Sequence, residues 1–415
     1  MTDRKIKPKI KRQADKIRKA SRKAAIIEII LLLLAILCIL LFLNRDNIKF
    51  PAFLSSDTRQ TLSQDEDTVS SDSLTKDAED PDNSSDEASD SSSDTPVEEN
   101  LPDTVTISSV GDCSLGKLQI HSTVNSFLDY YDSYGSDYFM KNVKDYFLAD
   151  DLTIANLEVV LSNTEAAGQD KEFLIKGRPE FTSILKDAGI DVVGTGNNHI
   201  LDYGETGAND TWQALNDAGI PYAYNDKTVL YTTANGHKVG IAASCLLNES
   251  RMQFLLNGIQ ELKAEGAELI IVMPHWGVER ENYANERQVT LAHQLIDAGA
   301  DLILGSHPHV VQGFEIYNGK MIAYSQGNFC YGGHQNPADK DSFIYQQTFT
   351  FTDGALDPTV DVHIVPCLIS STTSKNDFCP TPQTGEAAET ILNHLNSYSA
   401  GYSDFSLDTE GNFYR

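Results

Sequence analysis

Two histidines one residue apart, His307-Pro308-His309, follow the apolar run Leu302-Ile303-Leu304 and the turn Gly305-Ser306. Side chains so spaced share a face and can meet one centre, and imidazole is a common ligand for divalent metals. The same arrangement recurs along the chain. Asp112 closes the β-rich run Thr104-Val105-Thr106-Ile107-Ser108-Ser109-Val110-Gly111, and Asn156 and Glu158 close the run that begins at Leu152. Asn198 and His199 follow Ile190-Asp191-Val192-Val193-Gly194, and His275 follows Leu269-Ile270-Ile271-Val272-Met273. Asp, Glu, Asn and His are the residue types that bind divalent cations. Each also has a plain structural use. Asp112 alone could cap a turn or helix, Asn197-Asn198 could form a turn with positive φ, and His275 beside Trp276 could be a packed core histidine. Delivery from five separate strand ends favours one shared centre, because ligands of open α/β sheets sit outside the carboxyl ends of the strands. His121, His237, His293, His334, His363 and His394 lack this placement and read as surface or structural.

The elements that must position these groups alternate. Residues 179–189, 206–219, 254–266 and 285–299 have helical texture and lie between the apolar strand runs, with a further strand at Met321-Ile322-Ala323-Tyr324. Strand–helix–strand order with continuous apolar strands predicts an α/β fold, a mostly buried sheet flanked by helices.

The chain has 415 residues and a formal net charge of −28, unevenly spread. Residues 1–23 hold eleven Lys/Arg against two Asp and read as a basic cytoplasmic tail. Residues 24–43 form a twenty-residue apolar segment with one charge, Glu28, enough at 1.5 Å per residue to cross a hydrocarbon core of about 30 Å. The alternative is a cleaved signal peptide, whose apolar region is shorter and ends at a small-residue site absent here. The charge asymmetry sets the N-terminus in the cytoplasm and everything after the span outside the cell, so the expectation is a single-pass signal anchor in the cell membrane. Residues 44–103 read as a disordered linker. From residue 55 on it carries sixteen Asp/Glu against two Lys/Arg, with too little apolar surface to offset chain entropy. Residues 104–370 read as the functional domain and 371–415 as a C-terminal extension packing on it. Residues 104–415 carry 40 acidic against 17 basic side chains, which disfavours phosphate backbones, so no nucleic-acid partner is expected.

The motifs Gly111-Asp112, Asn156-Leu157-Glu158, Asn197-Asn198-His199 with Asp202-Tyr203-Gly204, His275-Trp276-Gly277-Val278-Glu279, Gly305-Ser306-His307-Pro308-His309 and Gly327-Asn328-Phe329 stand in one order. In this the chain resembles the poly-γ-glutamate capsule biosynthesis protein CapA family, which is itself similar to the calcineurin-like metallophosphoesterases. The resemblance runs from about Val105 to Pro366. It implies a four-layer α/β/β/α sandwich with two divalent metals, of the Mn, Zn, Fe or Mg class. Asp112 and His309 would serve the first metal, Glu158 would bridge, and Asn198, His275 and His307 would serve the second. His199 would be a catalytic, non-ligand histidine beside the substrate, oriented by Asp202. Metallophosphoesterases usually open with Asp-x-His, whereas the third position here is Ser114, so one metal position would be weaker or would be completed by another residue such as Asn156 or Asn328. Asn156, Asn328, Glu279 of the His-Trp-Gly motif and Lys117 beside Asp112 are the expected substrate contacts. Lys171, Lys176 and Arg178 form a compact basic cluster, either an anionic-ligand contact or solvated surface charge.

The implied function is capsule or cell-envelope polymer synthesis, through metal-dependent hydrolysis of a phosphoester or amide polymer. The alternative is a non-catalytic subunit that binds or exports the anionic polymer beside other capsule-synthesis membrane subunits. Five cysteines follow the apolar segment, outside the cell on this reading, where disulfides persist. Cys113 with Cys330, and Cys367 with Cys379, are the expected pairs, with Cys245 free; five unpaired thiols is the competing expectation.

Overall fold

The computed structural model describes residues 103–415. The basic tail, the apolar segment and all but the last residue of the acidic linker lie outside the described residues. Among the described residues no helix is long and apolar enough to cross a membrane.

In chain order the strands are β1 (Asp103–Ser114), β2 (Lys117–Leu118), β3 (Leu152–Leu157), β4 (Val160–Leu161), β5 (Ile175–Gly177), β6 (Val192–Gly194), β7 (Tyr222–Ala223), β8 (Val229–Thr232), β9 (Lys238–Cys245) and β10 (Leu269–His275). They continue with β11 (Leu302–Leu304), β12 (Phe314–Tyr317), β13 (Lys320–Ala323), β14 (Asn328–Tyr331), β15 (Asp341–Thr352), β16 (Ala355–Leu356), β17 (Asp361–Leu368), β18 (Thr381–Pro382) and β19 (Asn412–Tyr414). A ten-stranded sheet has the spine β18-β17-β15-β1-β3-β6-β7, and a six-stranded sheet runs β12-β13-β11-β10-β9-β8. Both have parallel centres: β1, β3, β6 and β7 in the first, β9, β10, β11 and β13 in the second. A small third sheet, β2-β5-β4, stands beside them.

Period-two alternation sorts the strand side chains into layers. Ile107, Ile154, Ile241, Ile271 and Leu304 pack in one core between the two large sheets. The alternate residues of the larger sheet, Val110, Ala155 and Val193, pack with Phe127, Phe139, Leu185 and Leu215 of the covering helices. On the other side Ala242, Ile270, Val272 and Ile303 pack under Leu255, Ile259, Leu291 and Leu295. Helices thus cover the outer face of each sheet.

The expected helices are present at 182–188, 204–218, 252–264 and 286–298. Asn285 opens the last of these with a capping box to Gln288, and Gly299 ends it with φ of 112°. The antiparallel strands β15 and β17 and the 386–399 helix were not expected. That helix places Ile391, Leu392 and Leu395 in the inter-sheet core, and β19 pairs with β17, so residues 371–415 are built into the sheet and its core.

The expected disulfides are absent: Cys113, Cys245, Cys330, Cys367 and Cys379 are free, buried thiols. In the β17–β18 ladder Cys367 stands opposite Pro382 and Leu368 opposite Thr381, so Cys379 is not the cross-strand partner of Cys367. The sulfurs are also engaged elsewhere. Cys379 Sγ lies 3.4 Å from the Tyr138 carbonyl and Cys330 Sγ 3.6 Å from the Phe378 carbonyl. Burial pushes the Cys113 thiol up to about 12.

Candidate metal centre

Parallel strands of both sheets end at one place, and the Asp, Glu, Asn and His groups read from their ends meet there. Gly111 lets β1 approach the loop before β14, since a Cβ on it would fall 2.1 Å from the Gly327 carbonyl oxygen. Asp112, fully buried, accepts from Asn156 Nδ2 at 2.7 Å through Oδ1. Its Oδ2 lies 3.3 Å from His309 Nδ1 and 3.4 Å from the His307 N–H.

Glu158 follows β3 and is also fully buried. Ser114 Oγ donates to its Oε2 at 3.3 Å. Its other oxygen, Oε1, has no hydrogen-bond partner and faces His275 Nε2 at 3.4 Å, His309 Nε2 at 3.7 Å and His199 Nε2 at 4.0 Å. His275 Nε2 lies 2.8 Å from Asn198 Oδ1 and 3.1 Å from His307 Nδ1, while its Nδ1 is 2.9 Å from Ser306 Oγ. His309 is held by Asn328, whose Oδ1 is 2.9 Å from Nδ1 and whose amide donates to the His309 carbonyl. Both His307, at φ 100°, and His309, at φ 59°, adopt a backbone conformation that side chains other than glycine rarely take.

The electrostatics divide the cluster. Burial and the neighbouring His307 hold His275 well below the ordinary imidazole value, and burial with His309 brings His307 down to about 4. Burial pulls His309 in the same direction, but the Glu158 and Asp112 carboxylates outweigh it and hold His309 at about 10. Burial and Asp112 raise Glu158 well above the usual carboxylate range. A buried carboxylate oxygen without a donor, beside two neutral imidazoles with nitrogens 3.1 Å apart, is a donor set short of a cation. Glu158, His275 and His307 form one three-ligand group, Asp112, Glu158 and His309 a second, and Glu279 with His307 and His309 a third, the ligand atoms of each lying within 4.8 Å of one another. The donor set fits divalent metal.

His199 stands beside this cluster. Its Nδ1 is 2.6 Å from Asp202 Oδ2, and Asn197 Oδ1 accepts from the His199 N–H at 3.1 Å. Asn197 is therefore the turn former, whereas Asn198 presents its side chain to the cluster. Asn156 and Asn328 contact Asp112 and His309 and so orient candidate ligand residues. Ser114, at the position where the resemblance leads one to expect histidine, holds Glu158 by its hydroxyl. Glu279 is exposed, within reach of His307 and His309. Lys117 does not converge on the cluster: its ammonium donates to the His121 carbonyl at 2.8 Å and lines a separate cavity.

The basic cluster diverges. Arg178 pairs with Asp132 at 2.6 and 2.7 Å, and Lys176 joins Lys117 at the separate cavity. Lys171 is the site residue the sequence left unassigned. Its Nζ donates to Asp202 Oδ1 at 2.5 Å and to the Asn198 carbonyl at 2.8 Å, tying the carboxylate behind His199 to the backbone of a candidate ligand. No spacing rule reveals this, since Lys171 sits on a loop far from both partners in sequence.

The layered α/β architecture and a histidine–carboxylate centre at its strand ends accompany a family match over residues 106–332, described as "Bacterial capsule synthesis protein PGA_cap". The chain belongs to this family. It is 30% identical over 262 residues to the capsule biosynthesis protein CapA of Bacillus anthracis, covering 57% of this chain and 62% of that protein. It is 33% identical over 253 residues to the PGA biosynthesis protein CapA of Bacillus subtilis, covering 55% and 64%. The matches thus span less than two thirds of these relatives. Among solved structures, a hypothetical protein from Thermus thermophilus aligns with a TM-score of 0.39 at 15% identity, covering 63% of this chain and 99% of that one.

Proposed function

We propose that this protein is a membrane-anchored, extracytoplasmic member of the capsule-synthesis family that cleaves a phosphoester-type bond at a two-metal centre while handling an anionic envelope polymer such as poly-γ-glutamate. The observation that carries this reading is Glu158 Oε1, buried without a donor and facing His275, His309 and His199. Asp112, Glu158 and His309 would hold one ion, and Glu158, Asn198, His275 and His307 the other. A divalent ion held there would polarise a phosphoryl or carbonyl oxygen and lower the pKa of a water.

The chain's own residues supply the rest. Asp202 fixes His199 through Nδ1, leaving Nε2 towards the cluster, where it can hand a proton to the departing oxygen. Lys171 neutralises Asp202 and holds the Asn198 loop, so His199 and Asn198 keep a common frame. Ser306 and Asn328 fix the ring orientations of His275 and His309 by hydrogen bonds at Nδ1, while the Nε2 of each ring faces Glu158. The apolar segment 24–43 supports the anchor and topology.

A second reading, a non-catalytic polymer-binding or export subunit, draws on Ser114, whose side chain is bound to Glu158 where the resembling enzymes place a histidine. Metal analysis of the full chain purified without chelator, with phosphodiester and γ-glutamyl hydrolysis assays, separates the two. Bound metal with turnover is expected. Absence of metal from the wild-type protein would sink the hydrolase, and metal without hydrolysis of either substrate would favour the binding subunit.

A further inference from the structure

Lys117 and Lys176 face each other in the register of β2 and β5, two ammonium-bearing side chains paired across a two-strand ladder. Like charges directly opposite are unfavourable, and residues 104–415 offer acidic side chains in more than twofold excess. Among the described residues neither lysine takes one as a salt-bridge partner. Lys117 Nζ donates to the carbonyls of His121 at 2.8 Å and Leu118 at 3.2 Å. Lys176 Nζ donates to the Thr164 carbonyl at 2.8 Å and lies 4.7 Å from the centre of the Tyr203 ring. An ammonium has three protons, so each lysine retains donor capacity beyond these bonds. Both line a cavity of about 320 Å³, with Gln119, Thr164, Glu165 and Tyr203 among its walls.

This cavity and the candidate centre share a support at Asp202. The N–H of Ile175, the residue before Lys176, donates at 2.8 Å to Asp202 Oδ2, the oxygen that holds His199 Nδ1 at 2.6 Å. The Gln169 N–H donates to the Asp202 carbonyl at 2.8 Å, fixing the loop that supplies the other wall. Lys117 stands five residues beyond Asp112 on the chain that leaves the centre.

We propose that Lys117 and Lys176 form an oxyanion subsite that receives a carboxylate of an anionic polymer while another part of the chain lies at the centre. The polymer as occupant rests on the function proposed above; the affinity of the paired ammonium groups for an oxyanion does not. In a domain whose acidic excess repels a polyanion, a local cationic pair beside the centre gives the polymer a place to enter.

The test uses full-length protein in detergent, titrated with a ten-residue oligo-γ-glutamate, an oligoglutamine of equal length and inorganic phosphate. The oligoglutamate is expected to bind and the oligoglutamine not to. K117Q/K176Q should weaken oligoglutamate binding by about tenfold or more, with an unchanged melting temperature and metal content, and K117R/K176R should restore it. Raising the salt concentration should weaken the wild type more than the glutamine variant. Unchanged binding in K117Q/K176Q, or equal binding of oligoglutamine, would overturn the subsite. Phosphate binding as tightly as the oligomer, and lost in the same variant, would overturn the polymer assignment in favour of a phosphate subsite. Lysine-dependent oligomer binding by a protein without metal would uphold the subsite and remove the hydrolase reading alone.

Discussion

Glu158 Oε1 lies 3.4 Å from His275 Nε2, and it has no hydrogen-bond donor. A carboxylate oxygen in this position is costly unless a cation answers it. Glu158→Gln removes the charge and leaves one carbonyl oxygen. We expect it to lower bound divalent metal by at least half, measured by elemental analysis of protein purified without chelator. Full occupancy in the variant would remove Glu158 from the ligand set.

Removing His309 and removing His199 should have different effects. His309→Ala takes away a ring that faces both Asp112 and Glu158, so metal content and any hydrolysis should fall together. His199→Ala should retain metal and lose turnover by about a hundredfold or more, the range of general acid–base catalysis, with KM little changed. Equal metal loss in both variants would place His199 among the ligands. His293, bound to Glu315 at 2.9 Å, is the control, and His293→Ala should leave metal content unchanged.

Metal uptake should release protons. In the metal-free cluster the Glu158 and Asp112 carboxylates hold His309 at about 10, so its ring carries a proton that ligation must remove. Affinity should therefore rise with pH through the neutral range and level off towards pH 10. Calorimetric titration in buffers of different ionisation enthalpy would count the protons, and pH-independent affinity would contradict the assignment.

Lys171→Met should leave metal content unchanged while lowering kcat about tenfold or more and shifting its pH profile, because Asp202 loses its counter-charge behind His199. Lys171→Arg should recover much of the loss. An unchanged profile with reduced folding stability would reduce Lys171 to a structural role.

Alkylation under denaturing, non-reducing conditions followed by peptide mapping should find Cys113, Cys245, Cys330, Cys367 and Cys379 all as free thiols. A recovered Cys113–Cys330 or Cys367–Cys379 peptide pair would contradict the structure.

The parallel half of the fold was legible because its strands are continuous apolar runs, and their ends announced Asp112, Glu158, His275 and His307. β15 and β17 escaped notice for a physical reason. Ser342, Gln347 and His363 interrupt their apolar texture, and what commits these residues to strands is pairing across the sheet, with Tyr345 opposite Ile364 and Ser109. Lys171 was equally hidden, since a lysine's partner is set by where a loop returns. The cysteine pairs failed because sequence spacing does not set the Cα separation and Cβ directions that a disulfide needs.

The turn that carries His307 and His309 has a further consequence, for how the centre should be probed. Both residues hold positive φ, so their backbone resists the conformation that aims the rings. Alanine at either position removes the ring but keeps a Cβ where the backbone disfavours one; glycine removes both. An alanine variant therefore reports lost ligation together with retained strain, whereas a glycine variant can be more stable than the parent when metal is absent. Comparing the two substitutions separates the free energy of metal binding from the conformational cost of holding the ligands ready.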